Sequence, residues 1–189
     1  MLNIAKNSPP NELVIGGDVY PINTDYRVWI EVSELLRKSN SENADNIWQE
    51  IQKLIFGGEV YCDTMLALEA ITIFLAGYPH YDNGYSGSSR DQEQLYSFVY
   101  DINLIVLAIR NQTGIDISYN CKHFHWWLFL LEFKSLEEHH EISRIIQMRG
   151  YKGKDEEYLR LKRQMALPYE YSEEEERQAE ELNSIFYNC

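Results

Sequence analysis

Several things are scarce in this chain, and each scarcity removes a class of function. Basic residues are outnumbered: 17 Lys and Arg stand against 30 Asp and Glu, for a formal net charge of -13. A surface that negative repels phosphate backbones, which argues against nucleic acid or an anionic membrane as the principal partner. Long apolar runs are missing. The most apolar stretch, Phe124 to Leu131, is broken by His125 and falls far short of the roughly 20 residues a bilayer requires. The opening Met1-Leu2-Asn3-Ile4-Ala5-Lys6 lacks the apolar core of a secretory signal. Cysteine is limited to Cys62, Cys121 and Cys189, with no C-x-x-C pair. That rules out a disulfide framework, suits a reducing cytoplasm and leaves the three as small apolar side chains.

Catalytic signatures are absent as well. There is no Gly-x-Ser-x-Gly elbow, and Gly84-x-x-Gly87 lacks the strand and the Lys-Ser/Thr of a phosphate loop. Acidic pairs are common, but 30 acidic residues produce them by chance. The residues therefore point to a protein that binds another protein, with no enzymatic activity and no cofactor.

Apolar residues make up 44% of the chain, which is enough for one domain with a core. Periodicity predicts a mainly α, compact multi-helix domain of about seven or eight helices. It adds a small N-terminal β-hairpin and an acidic C-terminal helix. Residues 1–11 form a flexible arm, 12–168 the helical body and 169–189 the acidic helix or tail. The hairpin is read from Glu12–Ile15 and Val19–Ile22 around Gly16-Gly17.

Asn23-Thr24-Asp25 offers a cap for a helix reaching Lys38, and a second helix covers about Ala44 to Phe56 before Gly57-Gly58. A third, Asp63 to Ala76, is apolar almost all round, so it lies at the centre of the core or faces a partner. Gly77 to Ser89 reads as a surface loop. Further helices are expected over Gln92–Arg110, Lys122–Lys134, Leu136–Arg149 and Asp155–Met165. Those over Asp63–Ala76, Gln92–Arg110 and Lys122–Lys134 carry the widest apolar stripes and should form the centre.

Three groups of residues invite a functional reading. His123, His125, His139 and His140 could be imagined around a metal. His123 and His125 are two apart, however, so on a helix they point to different faces, and packing or hydrogen bonding is the better account. Trp126 and Trp127 diverge by about 100° on a helix. Either one is buried and the other sits at the core margin, or one anchors an interface. Arg144, Arg149, Lys152, Lys154, Arg160, Lys162 and Arg163 are the one basic stretch. They form either a solvated face or a patch for an acidic partner, such as the acidic C-terminal helix of a neighbouring copy.

An ordered set of segments carries a resemblance. It comprises Tyr20-Pro21-Ile22-Asn23-Thr24-Asp25-Tyr26-Arg27, Thr113-Gly114-Ile115-Asp116-Ile117, His125-Trp126-Trp127-x-Phe129, Ile145-Ile146-x-Met148-Arg149, and Leu161-Lys162-x-x-Met165-Ala166-Leu167-Pro168. Together, from about Leu13 to Pro168, they resemble the phage gene-product-fifteen family. The resemblance implies a protein of a tailed phage or prophage, encoded ahead of the tape-measure gene and acting as a tail assembly chaperone. Its implied partners are the tape-measure protein, a second tail assembly chaperone and further copies of itself. The implied location is the cytoplasm of the infected or lysogenic host, with absence from mature virions. A structural tail or head–tail connector component is the alternative. No catalytic residue comes with the family. Trp126, Trp127, Phe129, Arg149 and Lys162 are the candidate partner-binding residues.

Overall fold

The structure is a computed structural model that describes residues 8–77 and 94–168. The expected arm up to residue 7, the loop at 78–89 and the acidic segment 169–189 lie outside the described residues. Among those described, the fold is mainly α, with seven helices and one two-stranded hairpin.

Strands β1 (Glu12–Ile15) and β2 (Asp18–Pro21) pair antiparallel with Val14 opposite Val19 and Ile15 opposite Asp18. Gly16 and Gly17 close the turn with φ of 62° and 99°. Both lie in the left-handed region that a two-residue hairpin demands and that glycine reaches without strain. Leu13 and Ile15 point into the core, whereas Val14 and Val19 point out. The hairpin packs through β1 on α3 (Thr64–Ala76).

Helix α1 (Tyr26–Lys38) starts at Asp25, whose carboxylate accepts the Arg27 N–H. Helix α2 (Ala44–Phe56) stops at Gly57 in the left-handed conformation. Buried Gln52 then donates to the Val60 carbonyl, which holds the link from α2 to α3. Four further helices follow: α4 (Ile102–Thr113), α5 (Trp126–Lys134), α6 (Glu141–Arg149) and α7 (Glu156–Gln164). Helix α5 is the innermost, with Trp126, Trp127, Phe129, Leu130 and Phe133 all buried. It packs on α1 and α4, while α6 packs on α4, and α7 on α6.

Three helix starts differ from the periodicity. The helix expected over Gln92–Arg110 begins only at Ile102. Before it, Ser97 donates its N–H to the Asp101 carboxylate, and Phe98 turns inward to meet Trp126, Phe129 and Phe133 edge-on. Helix α5 begins at Trp126 and not at Lys122, because His125 serves as its cap. Helix α6 begins at Glu141 and not at Leu136. The Gln112 side chain takes the Glu137 N–H and the His140 ring nitrogen as donors and itself donates to the Ser135 carbonyl, so this stretch is held out of a helix.

Arg149 ties the second half of the fold together. Its guanidinium pairs with Asp101 at 2.6 Å and 3.1 Å and also donates to the carbonyls of Leu95 and Met165. Both charges are buried. Removing one partner of a buried pair strands the other charge away from water, which costs about 3–5 kcal/mol. Asp101→Ala is expected to lose that much in urea denaturation. Glu34→Ala, which breaks the exposed Arg37–Glu34 pair, should lose under about 1 kcal/mol.

Candidate functional site

Two of the segments that carry the family resemblance, Tyr20–Arg27 and His125–Phe129, meet at the junction of the α1 and α5 N-termini. Asp25 and His125 form an isolated antiparallel bridge. Around it Tyr26 N–H donates to the Phe124 carbonyl and Trp126 N–H to the Thr24 carbonyl. The Asp25 carboxylate accepts from Phe124 N–H, from Arg27 N–H and from the Arg27 guanidinium at 3.0 Å. The same guanidinium reaches on to the carbonyls of Ser118 and Cys121, and the Tyr26 hydroxyl donates to the Ile117 carbonyl. The signature around Asn23–Arg27 and the one around His125–Trp127 are thus two halves of one hydrogen-bonded structure.

The histidines are committed to similar work. His125 Nδ1 accepts the Trp127 N–H, which leaves Nε2–H to donate to the Pro10 carbonyl. Burial pushes the His125 pKa below the ordinary value, opposed by the Pro10 bond and aided by nearby His123. His123 Nε2 meets Thr24 Oγ1 at 2.9 Å, His140 meets Gln112, and His139 lies 3.2 Å from Glu137. Among the described residues, no three His, Cys, Asp or Glu side chains group as metal ligands.

The candidate partner-binding residues are not gathered on a surface. Trp126 and Trp127 are both buried, so neither sits free at an interface. Their indole N–H groups donate to the Leu75 and Phe74 carbonyls, satisfying the end of α3. Gly77 ends α3 with a φ of 77°, a conformation that favours glycine, and a Cβ there would lie 2.6 Å from Leu130 Cδ1, which would have to shift. Phe129 stacks on Tyr26 at 4.7 Å between ring centres and is fully buried. Arg149 is spent on Asp101. Lys162 is half-buried and donates to the Tyr151 carbonyl. Each of these five side chains has a partner within the described fold.

What the surface does offer is the outer face of α3. Ala67, Ile71 and Phe74 point inward, while Met65 (74% exposed), Leu66 (44%) and Ile73 (63%) face outward. Glu69, the one charge on this helix, is exposed on the same side, four residues from both Met65 and Ile73. Leu66 lies beside the hairpin turn at Gly16. Tyr61 precedes the helix fully exposed, and Val14 and Val19 form the outer face of the hairpin. The sequence signal was the all-round apolarity of α3; which residues face out depended on where β1 and α5 sit. A separate half-open cavity of about 240 Å³ lies between Tyr96, Phe133, Leu136 and Ile146.

The chain matches the Bacteriophage Gp15 protein family over residues 10–182. It belongs to that family. The match extends beyond Pro168, where the resemblance read from the sequence had ended, and takes in the Glu173–Glu176 run of this Gp15 protein. No curated protein and no solved structure matches the chain. Among the described residues, no helix is long and apolar enough to cross a membrane.

Two predictions test the junction. Asp25→Ala removes a helix cap and leaves the Phe124 N–H unpaired, so a loss of about 2–4 kcal/mol is expected in chemical denaturation. His125 titrates below its unfolded value of about 6.5. The unfolded chain therefore binds the extra proton first, and stability is full above that pH and declines as pH falls below it. Protonation at Nδ1 would also abolish the cap. His125→Asn keeps a capping acceptor without titrating; denaturation midpoints between about pH 7 and 5 should fall less steeply in this variant than in the natural chain.

Proposed function

We propose that this Gp15 protein is a non-enzymatic tail assembly chaperone that binds the phage tape-measure protein and keeps it soluble while the tail assembles. The exposed apolar face of α3 carries the reading. A tape-measure segment is expected to present amphipathic helices, and Met65, Leu66 and Ile73 at helical spacing suit a helix laid along them. A chain with a net charge of -13 stays dispersed while exposing such a face. Binding at several points along one long substrate would gain from avidity, with self-association or a second chaperone adding to it. The host cytoplasm is where this work would take place.

A structural tail or head–tail connector role is the second reading. It is favoured by a second set of exposed apolar residues on another element, Val99 beside α4 and Leu107 within it. Two different apolar surfaces on one subunit allow the head-to-tail contacts that close rings.

Co-expression with the tape-measure protein of the same phage separates the two. The chaperone reading expects a soluble complex, several copies per tape measure, from a partner that precipitates alone. Met65→Asp with Ile73→Asp should reduce recovery of that complex at least about tenfold, a loss of roughly 1.4 kcal/mol, with unchanged helical content. A closed ring of this protein alone, retained in purified virions and indifferent to those substitutions, would refute it.

A further inference from the structure

Charge is distributed unevenly in this acidic chain. Residues 144–163 hold seven Lys and Arg against three Asp and Glu. Of these, Arg149 is buried against Asp101, and Lys162 lies against the Tyr151 carbonyl. Arg144, Lys152, Lys154, Arg160 and Arg163 are exposed, and among the described residues none of the five forms an ion pair. Arg160 is one helical turn from Glu156 and Glu157 yet pairs with neither. Helix α7 is also the most peripheral element. It has no buried residue, and among the described residues its main packing is on α6.

Favourable placement against the helix dipole explains Glu156 and Glu157 in the first turn of α7 and Arg163 in the last. It does not explain Lys152 and Lys154, which precede the helix, or Arg144 on α6. Their common feature is proximity in the chain to the opposite composition. Residues 169–189 contain seven glutamates and one arginine, with Glu173 to Glu176 consecutive.

We propose that the acidic segment of the same chain, centred on Glu173–Glu176, docks on the basic outer face of α7 and the α6–α7 connection. Distance favours the same chain. Helix α7 spans nine residues, about 14 Å at 1.5 Å per residue. The five residues from Pro168 to Glu173 reach about 16–18 Å when extended. The segment therefore covers the length of α7 and comes within range of Lys152 and Lys154. Tethering this short places it at an effective concentration on the order of millimolar, ahead of a neighbouring copy at ordinary protein concentrations. The contact would neutralise the cationic face. It stands on charge and chain length, independent of whether the chaperone reading holds.

The test is carbodiimide cross-linking of the full chain at low micromolar concentration, with the linked peptides mapped by mass spectrometry. Lys152, Lys154 and Lys162 are the amines and Glu173–Glu176 the carboxylates. Monomer-sized adducts joining the two groups are expected. They should fall about fivefold when salt is raised to about 0.5 M, where the Debye length drops to roughly 4 Å. They should fall by a similar factor in Arg160→Glu with Arg163→Glu, which keeps every cross-linkable amine. Both arginines are exposed, so circular dichroism should show the same helical content and separate lost docking from lost folding. Adducts that are equally abundant in the charge-reversed chain would overturn the proposal. So would links found only in dimer-sized species, which would assign the contact to a neighbouring copy.

Discussion

Two helices that begin side by side bring their positive ends together and leave two sets of backbone N–H groups without intrahelical partners. In this protein the problem arises at the starts of α1 and α5, and Asp25 resolves much of it. One carboxylate caps its own helix, accepts from Phe124 at the entry to the other and holds the Arg27 guanidinium. His125 completes the arrangement with a neutral ring nitrogen as the second cap. A negative group between two converging dipoles and a cation favours all three at once. Once this junction is formed, α5 is aimed through the middle of the fold, and the remaining elements pack around it.

The consequences can be followed along α5. Its first two residues send their indole N–H groups to the last turn of α3, and the next turn stacks Phe129 on Tyr26 and meets Phe98. Phe98 can be there only if the chain before α4 is turned, and the Asp101–Arg149 pair holds that turn. Arg149 in turn reaches Met165 at the end of α7. Polar contacts at both ends, joined by aromatic packing around Phe98 and Phe129, thus run from the α1–α5 junction to the end of α7. Among the described residues, no buried side-chain nitrogen or oxygen lacks a partner.

This economy bears on function. Among the described residues, Trp29, Trp126, Trp127, His140 and Arg149, which carry conspicuous chemistry, are buried inside the structure. Outside lie the exposed apolar residues of α3, single exposed apolar side chains before and within α4, and the exposed basic residues of 144–163. The proposed binding to other chains draws on these. Membership in the Bacteriophage Gp15 protein family places the chain in phage biology.

Much of the fold was legible in the sequence because its signals are local. Gly16-Gly17 permits one kind of turn, Asp25 and Gly57 mark helix ends through side-chain and left-handed backbone chemistry, and apolar spacing sets α1 and α2. The late starts of α4, α5 and α6 were not legible. There the backbone N–H groups and the aromatic side chains take partners from elements tens of residues away: Asp101 with Arg149, His125 with Pro10, and Gln112 with Glu137. The same holds for the surface. Periodicity showed that α3 is apolar on every side, but only the packing of β1 and α5 decided that Phe74 is inside and Ile73 outside. The amino-acid sequence by itself determined the mainly α class, the hairpin, the family and the charge. Tertiary structure alone decided which tryptophans, histidines and arginines are buried, because burial depends on partners that spacing along one segment does not reveal.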